Sequence, residues 1–148
     1  MQPTTKETKI AEYKNGNTTT TIFSNGTKIR SYEGTPIYDH PESIDVKITN
    51  YCDLNCAFCH EKSNLEGQHA DLDRLLEVLS ELPKGVELAI GGGNPLDHPD
   101  LVRFLIRIKE MGLLANLTVN QRHIKKHKQI LFPIIENGLI HGLGISLN

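Results

Sequence analysis

The sequence predicts an α/β fold, a parallel sheet with helices packed against it, preceded by a small antiparallel β-meander. Three observations carry that reading. From residue 43 onward, β-prone runs alternate with segments of helical apolar spacing, separated by short loops. Polar candidates follow one strand after another at the same end. Before residue 43, two Asn-Gly pairs punctuate three short β-prone runs, and Asn-Gly supplies the positive φ angles of tight hairpin turns.

Residues 1–7 read as a polar tail. "KIAEY", "TTTTIF" and "TKIRSY" then form the meander over residues 8–32, and "EGTPIYDHPE", with two prolines and a glycine, is an irregular link. The expected division is 1–40 for tail and meander and 41–148 for the main unit. "SIDVKIT" is its first strand. "DLDRLLEVLSEL" places Leu72, Leu75, Leu76, Leu79 and Leu82 on one helical face, with Asp71 as cap and Pro83 and Gly85 as stop signals. "VELAIGG" is a buried strand. "HPDLVRFLIRIKEMG" is a second helix, with Leu101, Phe104, Leu105 and Ile108 facing the core, Pro99 in the first turn and Gly112 at the end. "LLANLTVN" is a third strand. Residues 123–137 form a third helix, broken near Pro133, whose ring cannot continue the hydrogen-bond ladder. "GLGISLN" is the fourth strand. Such β-α alternation implies parallel strands joined by right-handed crossovers.

Composition is that of an ordinary soluble protein, 38% hydrophobic and 23% charged, with a formal net charge of −2. No global basic field argues for nucleic acid or an anionic membrane surface. No run approaches the roughly 18 apolar residues of a membrane span. The start "MQPTTKETKI" lacks the apolar segment of a signal peptide, so the expectation is a cytoplasmic protein with reduced thiols.

All 3 cysteines fall within "NYCDLNCAFCHEK", as C-x3-C-x2-C. An odd, tight set in a reducing compartment favours metal or redox chemistry over a disulfide framework. Four-iron clusters usually take four thiolates, one per iron, so three leave one iron open to another ligand. The residues alone leave two alternatives: a zinc site completed by His60, and a thiol redox pair of Cys56 and Cys59.

Candidate sites in parallel α/β folds form at the C-terminal ends of strands. The cysteine loop follows the first strand, and Gly92-Gly93-Asn94-Pro95 the second. Asn120 ends the third, and Ser146 and Asn148 end the fourth. The glycine run is also compatible with a plain strand-to-helix turn. His60, Glu61 and Lys62 follow the cysteine loop and could face the site, though such residues are more often simply exposed at a helix start. The basic run "RHIKKHK", residues 122–128, reads as a solvated helix face, with phosphate or RNA contact as the other option.

The C-x3-C-x2-C loop after a first strand, with Phe58 just before the third cysteine, resembles the radical S-adenosylmethionine (radical SAM) superfamily. "GGGNPLDHPDL" resembles that family's Gly-Gly-Glu-Pro segment, with Asn94 at the position of the usual Glu. The resemblance covers roughly residues 43–148. It implies a partial parallel (βα) barrel, truncated to about four strands, in which Cys52, Cys56 and Cys59 bind a [4Fe-4S] cluster. S-adenosylmethionine (SAM) would sit at the open iron, with Gly92, Gly93, Asn94 and Pro95 holding its amino group. Asn94 would accept a hydrogen bond from that group through its side-chain carbonyl. Asn120, Ser146 and Asn148 stand where the family places polar contacts to SAM or substrate, and Phe58 is counted with the cofactor-binding residues. The implied chemistry is reductive cleavage of SAM to a 5′-deoxyadenosyl radical, which abstracts hydrogen from a substrate the sequence does not name. The implied partners are an electron donor of flavodoxin or ferredoxin type and a second copy or partner chain over the open edge of the fourth strand. A non-catalytic iron–sulfur or zinc subunit docked on a partner is the alternative.

Overall fold

A computed structural model describes residues 7–147, which form two sheets. The meander comprises β1 (Lys9–Asn15), β2 (Thr18–Phe23) and β3 (Lys28–Tyr32), paired antiparallel in that order. Gly16 and Gly26 adopt φ of 61° and 85° in its two turns, the conformation the Asn-Gly pairs predict. The asparagines flanking the first turn also tie down the link. Asn15 Oδ1 accepts from the backbone N–H of Asp39 and of His40 at 2.7 and 3.0 Å, and Asn17 Oδ1 from that of Ile37 at 2.7 Å.

The second sheet holds β4 (Ser43–Thr49), β5 (Glu87–Gly92), β6 (Leu114–Asn120) and β7 (Gly142–Ser146), all parallel and in chain order. Helices α1 (Leu72–Leu79), α2 (Leu101–Glu110), α3 (Gln121–Lys126) and α4 (Lys128–Glu136) fill the crossovers. Asp71 caps α1, its Oδ1 accepting from the N–H groups of Asp73 and Arg74 at 3.0 and 3.2 Å. The predicted apolar stripes of α1 and α2 pack on one face of the sheet, against Val46, Ile48, Leu88, Ile90, Leu117 and Val119. The other face carries Asp45, Lys47, Ala89, Gly91, Thr118, Asn120 and Ser146, polar or small, around a cavity. One covered face and one polar, concave face is the arrangement of a partial barrel, and the predicted fold class holds.

Two local expectations change. Pro99 does not sit in the first turn of α2. A 3₁₀ turn, Pro95–Asp97, intervenes, and the cap is Asp100. The third helix breaks at His127 (φ −111°, ψ 21°) rather than at Pro133, which lies inside α4. Pro133 is tolerated because it lies on the solvent side, and the carbonyl it leaves unbonded belongs to exposed Gln129. His127 ends α3 because its ring turns inward to Asp97, 3.1 Å away.

The two sheets meet through ionic and close apolar contacts. Lys28 pairs with Glu87 at 3.1 Å, and Arg30 with Glu42 at 2.6 Å. The Tyr13 ring lies against Gly85, where any side chain would collide with it. No helix among the described residues is long and apolar enough to cross a membrane. The outer edge of β7 pairs with no strand among them; Ile145 on β7 is exposed, as are Phe132 and Ile135 on α4.

Candidate active site

The cysteine loop is built by the backbone before any side chain acts. The N–H of Asn50 donates to the carbonyl of Gln68 at 2.9 Å and that of Cys52 to the carbonyl of Asn64 at 2.9 Å, which closes the loop at its base. Asn55 and Lys62 take left-handed φ of 43° and 50°, folding the cysteine segment back on itself. Within the fold, Cys59 N–H donates to Cys56 C=O at 3.0 Å, and Lys62 N–H to Cys59 C=O at 3.1 Å.

The glycine turn after β5 is bonded to the entrance of that loop. Gly93 N–H donates to Thr49 C=O at 2.8 Å, and Asn94 N–H to Tyr51 C=O at 2.7 Å. A methyl group on Gly92 would overlap the Thr49 carbonyl, and one on Gly93 the Tyr51 carbonyl. Glycine is required here because two backbones approach each other. Gly91 differs: a methyl group there would meet nothing and would point into open space.

Cys52, Cys56 and Cys59 line one cavity of about 570 Å³ together with Phe58, Gly92, Gly93, Asn120 and Ser146. The three thiols are free and half-buried. Phe58 keeps 72% of its surface exposed at the rim. Asn120 also caps α3, its Oδ1 accepting from Arg122 N–H at 2.9 Å. Asn94 and Pro95 are not among the lining residues. Asn94 is fully buried (0% exposed), and its side-chain carbonyl, expected to meet an amino group, instead accepts from Leu96 N–H at 3.3 Å. Its amide N–H donates to Asp97 Oδ2 at 2.7 Å. Asn148 lies outside the described residues.

The cavity wall also contains residues the motif reading passed over: Asp45, Lys47, Gly91, Thr118 and His123. The signal for the first two was the alternation in "SIDVKIT", which sends Ile44, Val46 and Ile48 to one face and Asp45 and Lys47 to the other. Lys47 pairs with Glu61, so Glu61 belongs to the site. His60 lines the cavity as well but stays 91% exposed, its Nε2 lying 3.4 Å from Glu61 Oε1. The basic run is not a purely solvated face. His123 is buried, its Nε2 lying 2.7 Å from Asp53 Oδ1, and Lys126 Nζ donates to Asp53 Oδ2 at 2.7 Å. Those two hydrogen bonds hold the Asp53 carboxyl down at about 2.

The donor set suits a cationic metal centre. Burial pushes the Cys52 thiol up, and the nearby Asp53, Cys56 and Cys59 push in the same direction. Three cysteines on one cavity are a soft donor set of the kind that iron–sulfur clusters take, and a bound cation would favour the thiolate form. Cys52, Asp53 and His123 also bring ligand atoms within 4.8 Å of one another, but Asp53 there is already engaged by Lys126.

Comparison with known proteins places this arrangement. Residues 46–148 match the sequence model of the radical SAM superfamily. A segment of 105 residues is 31% identical to the PqqA peptide cyclase of Rhodopseudomonas palustris, covering 68% of this chain and 27% of that protein. Another of 74 residues is 35% identical to the probable GTP 3′,8-cyclase of Methanothermobacter thermautotrophicus, covering 47% of this chain and 24% of that protein. The chain thus matches about a quarter of the length of these relatives. With the family match running from β4 through β7 and taking in the three-thiol loop and the glycine turn, the chain belongs to the radical SAM superfamily.

Proposed function

We propose that this chain is a radical SAM enzyme, or the core portion of one, with Cys52, Cys56 and Cys59 holding a [4Fe-4S] cluster. The observation that carries the reading is the convergence of three free thiols and a glycine turn on one cavity. When bound, the cluster and SAM supply a 5′-deoxyadenosyl radical that abstracts hydrogen from substrate. The protein's part is to bind, orient and shield. The loop holds three thiolates on one wall. Gly91, lacking a side chain, leaves the adjoining space for SAM, with Gly92 and Gly93 presenting backbone close by. Asn120 and Ser146 offer polar contacts across the cavity, and Asp45, Thr118 and the Lys47–Glu61 pair form the wall a substrate meets. A low-potential flavodoxin or ferredoxin would donate the electron.

Anaerobic reconstitution tests this. The expected result is iron and sulfide in cluster stoichiometry, and 5′-deoxyadenosine once reductant and SAM are added. Cys56→Ala should abolish both. Stoichiometric zinc without sulfide, or SAM cleavage that survives Cys56→Ala, would end the proposal. The unpaired edge of β7 among the described residues, with Ile145 exposed on that strand, favours a second reading, a cluster-bearing subunit docked on a partner chain. A loaded chain that does not bind SAM would select it.

A further inference from the structure

The basic run 122–128 has no part in the motifs that define the family match, yet it makes the longest-range polar contacts around the cavity. Two carboxylates matter. Asp53 directly follows Cys52 on the cysteine loop. Asp97 closes the turn that begins with the glycines. Asp53 turns both of its oxygens to this run, and Asp97 turns one to the run and one to Asn94 of its own turn. Asp53 Oδ1 meets His123 Nε2 and Oδ2 accepts from Lys126 Nζ, both at 2.7 Å. Asp97 Oδ1 meets His127 Nε2 at 3.1 Å, and its Oδ2 accepts from Asn94 Nδ2 at 2.7 Å. Asn94 Nδ2 also lies 3.3 Å from His127 Nε2. His123 itself is 2% exposed and lines the cavity.

We infer that His123, Lys126 and His127 are positioning residues that strap the cysteine loop and the glycine turn to the α3–α4 segment, setting the distance between Cys52 and the turn that receives SAM. A carboxylate held at both oxygens cannot rotate, so each loop is fixed in orientation as well as position. The break between α3 and α4 serves this arrangement, since it turns His127 toward Asp97 while His123 and Lys126 face Asp53. Partners that orient the residues around a metal ligand typically change metal affinity or activity by about 10–100-fold when removed. The inference rests on the proposed function for its cofactor, but its first readout does not need one.

The test compares wild type with His123→Leu, His123→Gln and Lys126→Met. Hydrogen–deuterium exchange is read over residues 50–64 and 91–97, with α1 as internal reference. His123→Leu should speed exchange in 50–64 about tenfold or more and leave α1 unchanged, and His123→Gln, which keeps a donor, should recover most of the protection. In reconstituted protein, His123→Leu should shorten the cluster's lifetime against a chelator by about tenfold. It should also weaken the change that SAM causes in the reduced cluster's electron paramagnetic resonance spectrum. Should His123→Leu fail to fold, Lys126→Met decides. That side chain is 51% exposed, and its loss should still speed exchange in 50–64. Unchanged exchange in 50–64 for Lys126→Met together with an unchanged chelation lifetime would overturn the strap. Wild type that loads zinc without sulfide overturns the cluster reading alone, because exchange judges the strap whatever the thiols hold.

Discussion

Replacing Asn94 by Glu restores the residue that the family's Gly-Gly-Glu-Pro pattern carries, and the structure predicts that this damages the protein. Asn94 is fully buried and donates its amide N–H to Asp97, whose side chain is only 15% exposed. Glu removes that hydrogen bond to a charged acceptor, a loss of about 1.5–3 kcal/mol. It also sets a second carboxylate near the first. Two like charges about 4 Å apart repel by ~4 kcal/mol at an effective dielectric near 20. Partial protonation offsets part of that, leaving an expected destabilisation of about 2–4 kcal/mol at neutral pH. The pH dependence gives the signature. Burial and Asp97 would raise the folded-state pKa of the introduced carboxyl, so the repulsion is absent below the ordinary glutamate value of about 4.3 and grows as pH rises toward and through the raised one. Urea unfolding of wild type and Asn94→Glu at pH 4.5 and pH 7.5 measures both effects. A variant equal to or more stable than wild type at pH 7.5 would refute the assignment of Asn94 as a partner of Asp97.

Further expectations concern the glycines, the meander and the core. Gly91→Leu should leave urea stability within about 0.5 kcal/mol, since its side chain enters open space, yet reduce SAM binding at least tenfold by calorimetry. Gly93→Ala should do the reverse first, destabilising the fold through the Tyr51 carbonyl before binding is at issue; equal stabilities for the two variants would contradict the packing described. Glu42 accepts from Arg30 and Thr20, and these hydrogen bonds, Arg30's foremost, hold its carboxyl below the ordinary range. Its contribution is therefore complete above the ordinary glutamate pKa and is lost as pH falls through the lowered one. The stability gap between wild type and Glu42→Gln should shrink over that window, and a constant gap would count against the ion pair. Phe104→Ala, at a fully buried position facing the sheet, should cost about 3–5 kcal/mol, and a loss under about 1 kcal/mol would mean the helix layer is misplaced.

Much of the architecture was legible along the chain. The spacing of leucines in "DLDRLLEVL" and the Asp71 cap suffice for α1, because a helix face and its first turn are defined within a few residues. The three cysteines could be singled out the same way, since their spacing suits one loop around one cluster. The readings that changed depended on neighbours distant in sequence. A basic run has the same composition whether it faces water or a carboxylate, and Lys126 meets Asp53 across 73 residues. Asn94 stands in a recognisable motif, but only the packing of the 3₁₀ turn against His127, 33 residues away, determines that its side chain points inward.

The order of the seven described strands, the apolar faces of α1 and α2 and the loop that carries the thiols were thus readable along the chain. Those follow from backbone propensity and periodicity, which are local properties. Folding was needed to show which polar groups share the cavity, that Asn94 turns away from it, that Gly92 and Gly93 face backbone carbonyls, and that the α3–α4 segment reaches both loops. A side chain's hydrogen-bonding partner is set by what the folded backbone brings within about 3 Å, and no local pattern encodes that.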